Sequence, residues 1–266
     1  MIVSKFGGSS VANLISIKNI KKLSKNKNRK IFIFSAIGIS KLINKKLTDL
    51  LIEHANGINN KKIIFSLFDN YCKMLKINNN YSNEIANSFF VFDITKNKNY
   101  LISRGEYFTT KILAKYLKIK FIPAENLIFF SDNKLNKEKT TKALKDAISF
   151  YGRFCVPGFY GSNQNGDIVL FERGGSDTTG AIISALLFAK TYENWTDVCG
   201  VFTADPATNP CAKQIPKMSY ENLEKQIQKG AKVISFECIP YLKDSRTTLK
   251  IRNTFCPKGK YTIVNQ

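Results

Sequence analysis

Two double-glycine turns in this sequence carry charged side chains beside them. The first, Lys5-Phe6-Gly7-Gly8-Ser9-Ser10-Val11, leads from a short apolar strand through glycines into a helix. Glycines let backbone N–H groups approach a phosphate, and a helix N-terminus adds partial positive charge. Lys5 would add a full charge at a transferring phosphoryl group. The spacing is not that of a Walker A loop, and a strand, two glycines and a helix also make ordinary tight turns. The second is Glu172-Arg173-Gly174-Gly175-Ser176-Asp177-Thr178-Thr179. The Arg173 fork could hold a carboxylate bidentately, and Asp177 could hold an ammonium group or orient Lys5. The plainer alternative is an N-capped helix with a surface Arg–Asp pair of little energetic weight.

Three further segments carry polar groups at chemically useful places. Trp195-Thr196-Asp197 ends a strand, and the loop Val198 to Pro206 adds Phe202 and Asp205. Ligands of open α/β sheets bind beyond the carboxyl ends of strands, although Asx turns at Asp197 and Asp205 would explain the same residues. In Lys229-Gly230-Ala231-Lys232-Val233, Lys232 could reach a phosphate or be a solvated lysine at a helix C-cap. In Ser103-Arg104-Gly105-Glu106, Glu106 could simply offset a helix dipole.

The elements needed to position these groups follow from periodicity. Ile2 to Phe6, Ile31 to Phe34, Phe154 to Val156, Asp167 to Phe171, Tyr192 to Thr196, Thr248 to Arg252 and Tyr261 to Val264 are predicted as strands. Phe121-Ile122 and Leu127 to Phe130 are predicted as short strands around Pro123. Helices are predicted after Val11, over most of Leu42 to Tyr116 apart from a loop at Ile77 to Asn83, over Asn136 to Phe150, and over Ser176 to Lys190. Ser219 is a candidate N-cap. Strands alternating with helices, with glycine turns at strand ends, imply an α/β fold with a largely parallel sheet.

The composition narrows the function classes. The chain has 266 residues and a net charge of +21 from 41 basic and 20 acidic residues. Nucleic-acid binding would use such charge. However, only six of the basic residues are Arg, and lysines such as Lys18, Lys21, Lys22, Lys25 and Lys27 take solvent-face spacing without interleaved aromatics. An anionic substrate would gain from the field in either case. Six cysteines form no C-x-x-C pair, and His54 is the single histidine, which argues against a zinc site and for reduced thiols. No apolar run approaches the roughly 20 residues of a membrane span, and a cytoplasmic location is expected.

Taken together, the charged segments resemble the aspartate kinases of the amino-acid kinase superfamily. That family carries K-F-G-G-[TS]-S-V, S-x-G-E, G-R-G-G-S-D-x-[TS]-A, W-T-D-V-x-G-[IV]-[YF]-T-x-D-P and [YF]-G-A-K-V. The corresponding segments occur here in that order from Lys5 to Val233, and Arg252-Asn253-Thr254-Phe255 resembles the family's closing strand and loop. Related acetylglutamate, glutamate, carbamate and uridylate kinases share the glycine turns but not this set.

The resemblance implies a three-layer αβα amino-acid kinase fold with a largely parallel central sheet. It implies one catalytic domain over 1–266, with a lobe at about 1–150 binding aspartate, a lobe at about 151–266 binding ATP, and no C-terminal regulatory domain. Lys5 and Asp177 would be catalytic. Ser40, Glu106, Arg173, Gly174, Gly175 and Ser176 would bind the substrate. Lys5, Gly7, Gly8, Ser9, Thr196, Asp197, Phe202, Asp205 and Lys232 would lie around the nucleotide. Departures from the family pattern fall at the short Ser35 to Ser40 loop and at Arg104, Glu172, Ala207 and Ser235-Phe236. The implied activity is ATP- and Mg²⁺-dependent phosphorylation of the L-aspartate side-chain carboxylate by a homo-oligomer. It would be the first step towards lysine, threonine, methionine and diaminopimelate, without feedback inhibition. Two alternatives remain: another acid or nucleotide kinase of the same fold, or a basic non-catalytic RNA binder.

Overall fold

The computed structural model describes residues 1–39, 44–77, 83–87, 98–132, 134–171 and 174–266. In chain order, β1 (Ile2–Phe6) enters the short α1 (Gly8–Val11) and then α2 (Leu14–Leu23), which Asn13 caps by accepting the Ile15 amide. β2 (Arg29–Phe34) precedes a helical region of α3 (Leu47–Ala55), α4 (Lys61–Met74), α5 (residues 83–87) and α6 (Lys98–Leu117). β3 (Lys120–Phe121) and the hairpin of β4 (Phe130–Ser131) with β5 (Lys134–Leu135) lead to α7 (Lys137–Tyr151), capped by Asn136. β6 (Phe154–Pro157) follows, then the hairpin of β7 (Tyr160–Ser162) with β8 (Ile168–Leu170), α8 (Gly175–Leu186) and β9 (Thr191–Thr196). The chain closes with β10 (Lys217–Ser219), α9 (Tyr220–Gln228), α10 (Ile239–Asp244), β11 (Thr248–Asn253) and β12 (Thr262–Asn265).

Eight strands form one sheet in the order β10-β12-β11-β9-β1-β2-β6-β3, with only the β11–β12 pair antiparallel. β2 and β6 are apolar on both faces over Ile31–Phe34 and Phe154–Val156, as suits buried parallel strands. Val3, Ile31, Ile33, Phe154 and Val156 turn to one face and pack with residues of α7, α8, α9 and α10, including Leu144, Ile183, Leu223 and Leu242. Phe6, Phe32, Phe34, Cys155 and Trp195 turn to the other and pack with residues of α2, α3, α4 and α6, including Ile20, Leu51, Phe68 and Phe108. Each such large side chain contributes about 1.5–3 kcal/mol by leaving water. The result is the expected three-layer arrangement, and it decides which way Lys5 points. On β1 it alternates with Ser4 and Phe6, so it shares the face covered by α8.

The opposite face carries one buried ionic cluster. Arg29 donates from Nε and Nη2 to the two Glu193 oxygens at 2.8 and 2.9 Å, and Ser4 and Trp195 donate to the same carboxylate at 2.8 and 3.0 Å. These donors hold the Glu193 carboxyl below its ordinary range although burial pushes it up. The cluster ties β1, β2 and β9 together beneath the strand ends that form the site.

Some sequence-based boundaries move. The helix expected to reach Lys190 ends at Leu186, because Phe188 takes a left-handed φ of 47° and Ala189 donates back to the Ser184 carbonyl before β9 begins. The strand expected over Leu127 to Phe130 is reduced to Phe130–Ser131, since a 3-10 turn at Ala124–Asn126 precedes it. Most of the loop expected at Ile77 to Asn83 lies outside the described residues. No described helix is long and apolar enough to cross a membrane.

Candidate active site

The carboxyl ends of β1 and β9 and the N-terminus of α8 meet at one cleft of about 960 Å³. Lys5 lies at its floor, and its Nζ is 2.5 Å from Asp177 Oδ1. Both side chains are mostly buried, at 10 and 14% exposure. Asp177 is in the first turn of α8, where a carboxylate is favoured by the helix dipole. Its second oxygen, Oδ2, accepts the Ser235 amide at 3.1 Å. The aspartate therefore joins the lysine floor to the far wall of the cleft.

The walls are built from the glycine turns. Gly7, Gly8 and Ser9 line one side, and Gly174 lines another. Gly8 faces Gly38, whose amide donates to the Gly8 carbonyl at 3.1 Å. A Cβ on Gly38 would come within 2.7 Å of the Gly8 carbonyl carbon, so this approach requires glycine. Gly174 has φ of +60°, and a Cβ there would overlap the Ser235 side chain. Gly175 and Ser176 do not line the cleft. A Cβ on Gly175 would meet Phe159, and one on Gly158 would meet Ser176, so these residues serve close packing of α8 on the turn after β6.

The nucleotide-side candidates gather around the same opening. Thr196 and Lys232 line the cleft. An adjoining pocket of about 430 Å³ is lined by Phe202, Asp205, Gln226 and again Lys232, and the two spaces share the 230–233 segment. Asp197 departs from its expected place. It is exposed, accepts the Thr196 hydroxyl at 3.0 Å, and lines neither space, because the chain turns outward after β9.

Glu106 lies within α6, near the end of β2, and lines neither space. It is buried, and burial pushes its carboxyl up to about 8, with the Ala36 backbone only partly opposing this. Its Oε2 has no hydrogen-bond partner among the described residues. Arg104 beside it is structural. Its guanidinium lies 4.0 and 4.2 Å from the Tyr100 and Tyr107 ring centres and 3.7 Å from Glu125. Ser40 and Arg173 lie outside the described residues.

Two polar side chains of the cleft were not singled out from the sequence. Lys46, just before α3, adds a third lysine to the lining. Nothing in its lysine-rich surroundings distinguishes it. Asn194 stands beside Lys5 in strand register and is 1% exposed. A carboxamide in a strand covered on both faces was the available signal.

The sequence model of the amino acid kinase family matches residues 1–253. The Rickettsia felis aspartokinase is 27% identical over 277 residues, covering 99% of this chain and 60% of that protein. Aspartokinase 3 of Bacillus subtilis is 26% identical, covering 99% of this chain and 63% of that protein. Among solved structures, the Clostridium acetobutylicum aspartate kinase superposes with a TM-score of 0.89 at 36% identity, over all of this chain and 62% of that one. Aspartokinase III of E. coli, solved with aspartate and ADP, has the same fold, with a TM-score of 0.83 at 20% identity. This chain thus spans about three fifths of the length of the curated relatives it matches. With the sheet order, the paired glycine turns and the Lys5–Asp177 cleft, these matches make the chain a member of the amino acid kinase family.

Proposed function

We propose that the protein is an aspartate kinase, transferring the γ-phosphoryl group of ATP to the side-chain carboxylate of L-aspartate. The observation that carries this reading is the Lys5–Asp177 pair at the floor of a glycine-walled cleft that adjoins a second pocket. The relatives named aspartokinase support the choice of acid within the family.

The attacking carboxylate is ionised at neutral pH, so the reaction needs no general base. Catalysis then rests on alignment and neutralisation of charge. Lys5 faces the migrating phosphoryl group, with Asp177 fixing its ammonium. Gly7, Gly8, Ser9 and Lys232 surround the phosphates, while Phe202 and Asp205 border the nucleoside. Glu106 takes the substrate ammonium, which supplies the partner its carboxylate lacks. Arg173 takes the α-carboxylate, and Ser40, Gly174, Gly175 and Ser176 contribute to binding the acid.

Magnesium suits this donor set as a phosphate-bound ion. Among the described residues no cluster of three His, Cys, Asp or Glu could hold a metal, and Asp177 is the acidic side chain lining the cleft. Mg²⁺ held by phosphate oxygens and water would neutralise phosphate charge, as such ions commonly do. We further assign the lobe up to about residue 150 mainly to the acid and the lobe beyond it mainly to the nucleotide, with Gly7–Ser9 and Arg173 serving the other substrate. A homo-oligomeric state and a role in making aspartate-derived amino acids belong to the same proposal.

A substrate panel tests the reading. ADP release is measured with aspartate, N-acetylglutamate, glutamate and UMP. Aspartate is expected to exceed each of the others by at least about a hundredfold in kcat/KM, because unpaired polar groups in the site penalise the wrong acid. Preference for another acceptor would replace the substrate and leave the phosphoryl-transfer site in place.

A further inference from the structure

Lys5 has a neighbour with no assigned role. Asn194 on β9 pairs with Lys5 on β1 in parallel register, so both side chains rise from the same sheet face. The Asn194 Nδ2 donates to the Val233 carbonyl at 2.9 Å. A carbonyl can only accept, so this bond settles the amide orientation. The Oδ1 is then left buried in the cleft lining with no hydrogen-bond partner among the described residues. Native proteins leave few buried acceptors in that condition.

The bond to Val233 is joined by a second that ties the same segment to the cleft. Two residues on, the Ser235 amide donates to Asp177 Oδ2, and Asp177 pairs with Lys5 through its other oxygen. Asn194 and Asp177 thus flank Lys5 and each grips the strip that begins with Lys232. Lys232 itself is exposed on a strip otherwise tied down at both ends.

We propose that Asn194 is a positioning residue that sets the Lys232 strip in register with Lys5 and offers Oδ1 as a second acceptor to the Lys5 ammonium. An ammonium has three protons. In the structure this second bond is unmade; once it forms, one proton is directed to Asp177 and one to Asn194, leaving the third for the phosphoryl group. No bond is made or broken by Asn194; it aligns the two cations that bracket the phosphates. The inference rests on the phosphoryl-transfer reading of this cleft but not on the identity of the acid.

The test uses Asn194→Leu, which keeps the branched shape and removes donor and acceptor, and Asn194→Ala, which removes both without added bulk or charge. ADP affinity is measured by calorimetry without any acid, and amide hydrogen exchange is read over 233–235. Both variants should weaken ADP about tenfold, the loss expected for one hydrogen bond, and should speed exchange over 233–235. In turnover, kcat should fall in both, with the KM for the acid unchanged. A residue that merely packs would shift the unfolding temperature in Leu and leave ADP affinity, exchange and kcat alone; that result overturns the proposal. If the wild-type chain proves inactive on aspartate while the ADP and exchange effects appear, the acid assignment falls and this inference stands. If Asn194→Leu does not fold, Asn194→Ala carries the same three readouts.

Discussion

Glu106 is 5% exposed, and its Oε2 has no hydrogen-bond partner among the described residues. Burial raises it from 4.5 to about 8. Between those values the folded chain holds a proton that the unfolded chain has released, so stability falls as pH rises through that window. Above about pH 8 the buried charge is present with no cation against it among the described residues. Glu106→Gln abolishes this titration. Thermal unfolding at pH 5 and pH 8 should show the variant gaining on the wild type as pH rises. Added aspartate should raise the wild-type midpoint at pH 8 and leave that of Glu106→Gln unmoved. Parallel pH dependence in the two proteins, or equal response to aspartate, would contradict the assignment. On the proposed role, a buried carboxylate with no cation against it among the described residues is costly until the substrate ammonium arrives.

At the scale of elements, the site is a set of strand-to-helix turns that must approach one another closely. Gly8 and Gly38 touch backbone to backbone, and Gly174 crosses Ser235 with a positive φ. Gly38→Ala should therefore cost about 1–3 kcal/mol, the usual range for overpacking a tight contact, and should weaken ADP binding because it displaces the Gly7–Ser9 turn. Denaturant unfolding and an ADP titration measure both; unchanged values would mean the turns have room to move. The sequence made the glycine turns, the central strands and the capped helices legible, since local spacing encodes them. Lys5 and Asp177 were recognisable as partners because each sits beside a double glycine. Other features needed the fold. Asn194 earns its place only through register with Lys5, and Lys46 only through the approach of α3 to the cleft. Asp197 moved out of the expected lining because a turn after a strand can face either way. The early end of α8 came from the tertiary demand to begin β9, against a periodicity that continues to Lys190.

Across the whole molecule, one sheet carries the charge-bearing ends of β1 and β9 to a common opening, with a separate helical layer on each face. The lysines Lys18, Lys21, Lys22, Lys25 and Lys27 are exposed along and just beyond α2, so the net charge of +21 is spread over solvent-facing surface while Lys5 lies within the cleft. Surface charge of this sign would raise the local concentration of an anionic nucleotide, but the proposed chemistry would depend on the few cations inside. Trapping of acyl phosphate as hydroxamate, with ATP and aspartate supplied to the wild type and to Lys5→Met, tests that dependence most directly. The wild type should form hydroxamate only when both substrates are present, and Lys5→Met should lose about 10²–10³-fold in rate, the range for removing one group that stabilises transition-state charge. Hydroxamate formation by Lys5→Met at the wild-type rate, or its absence in the wild type, would contradict the account.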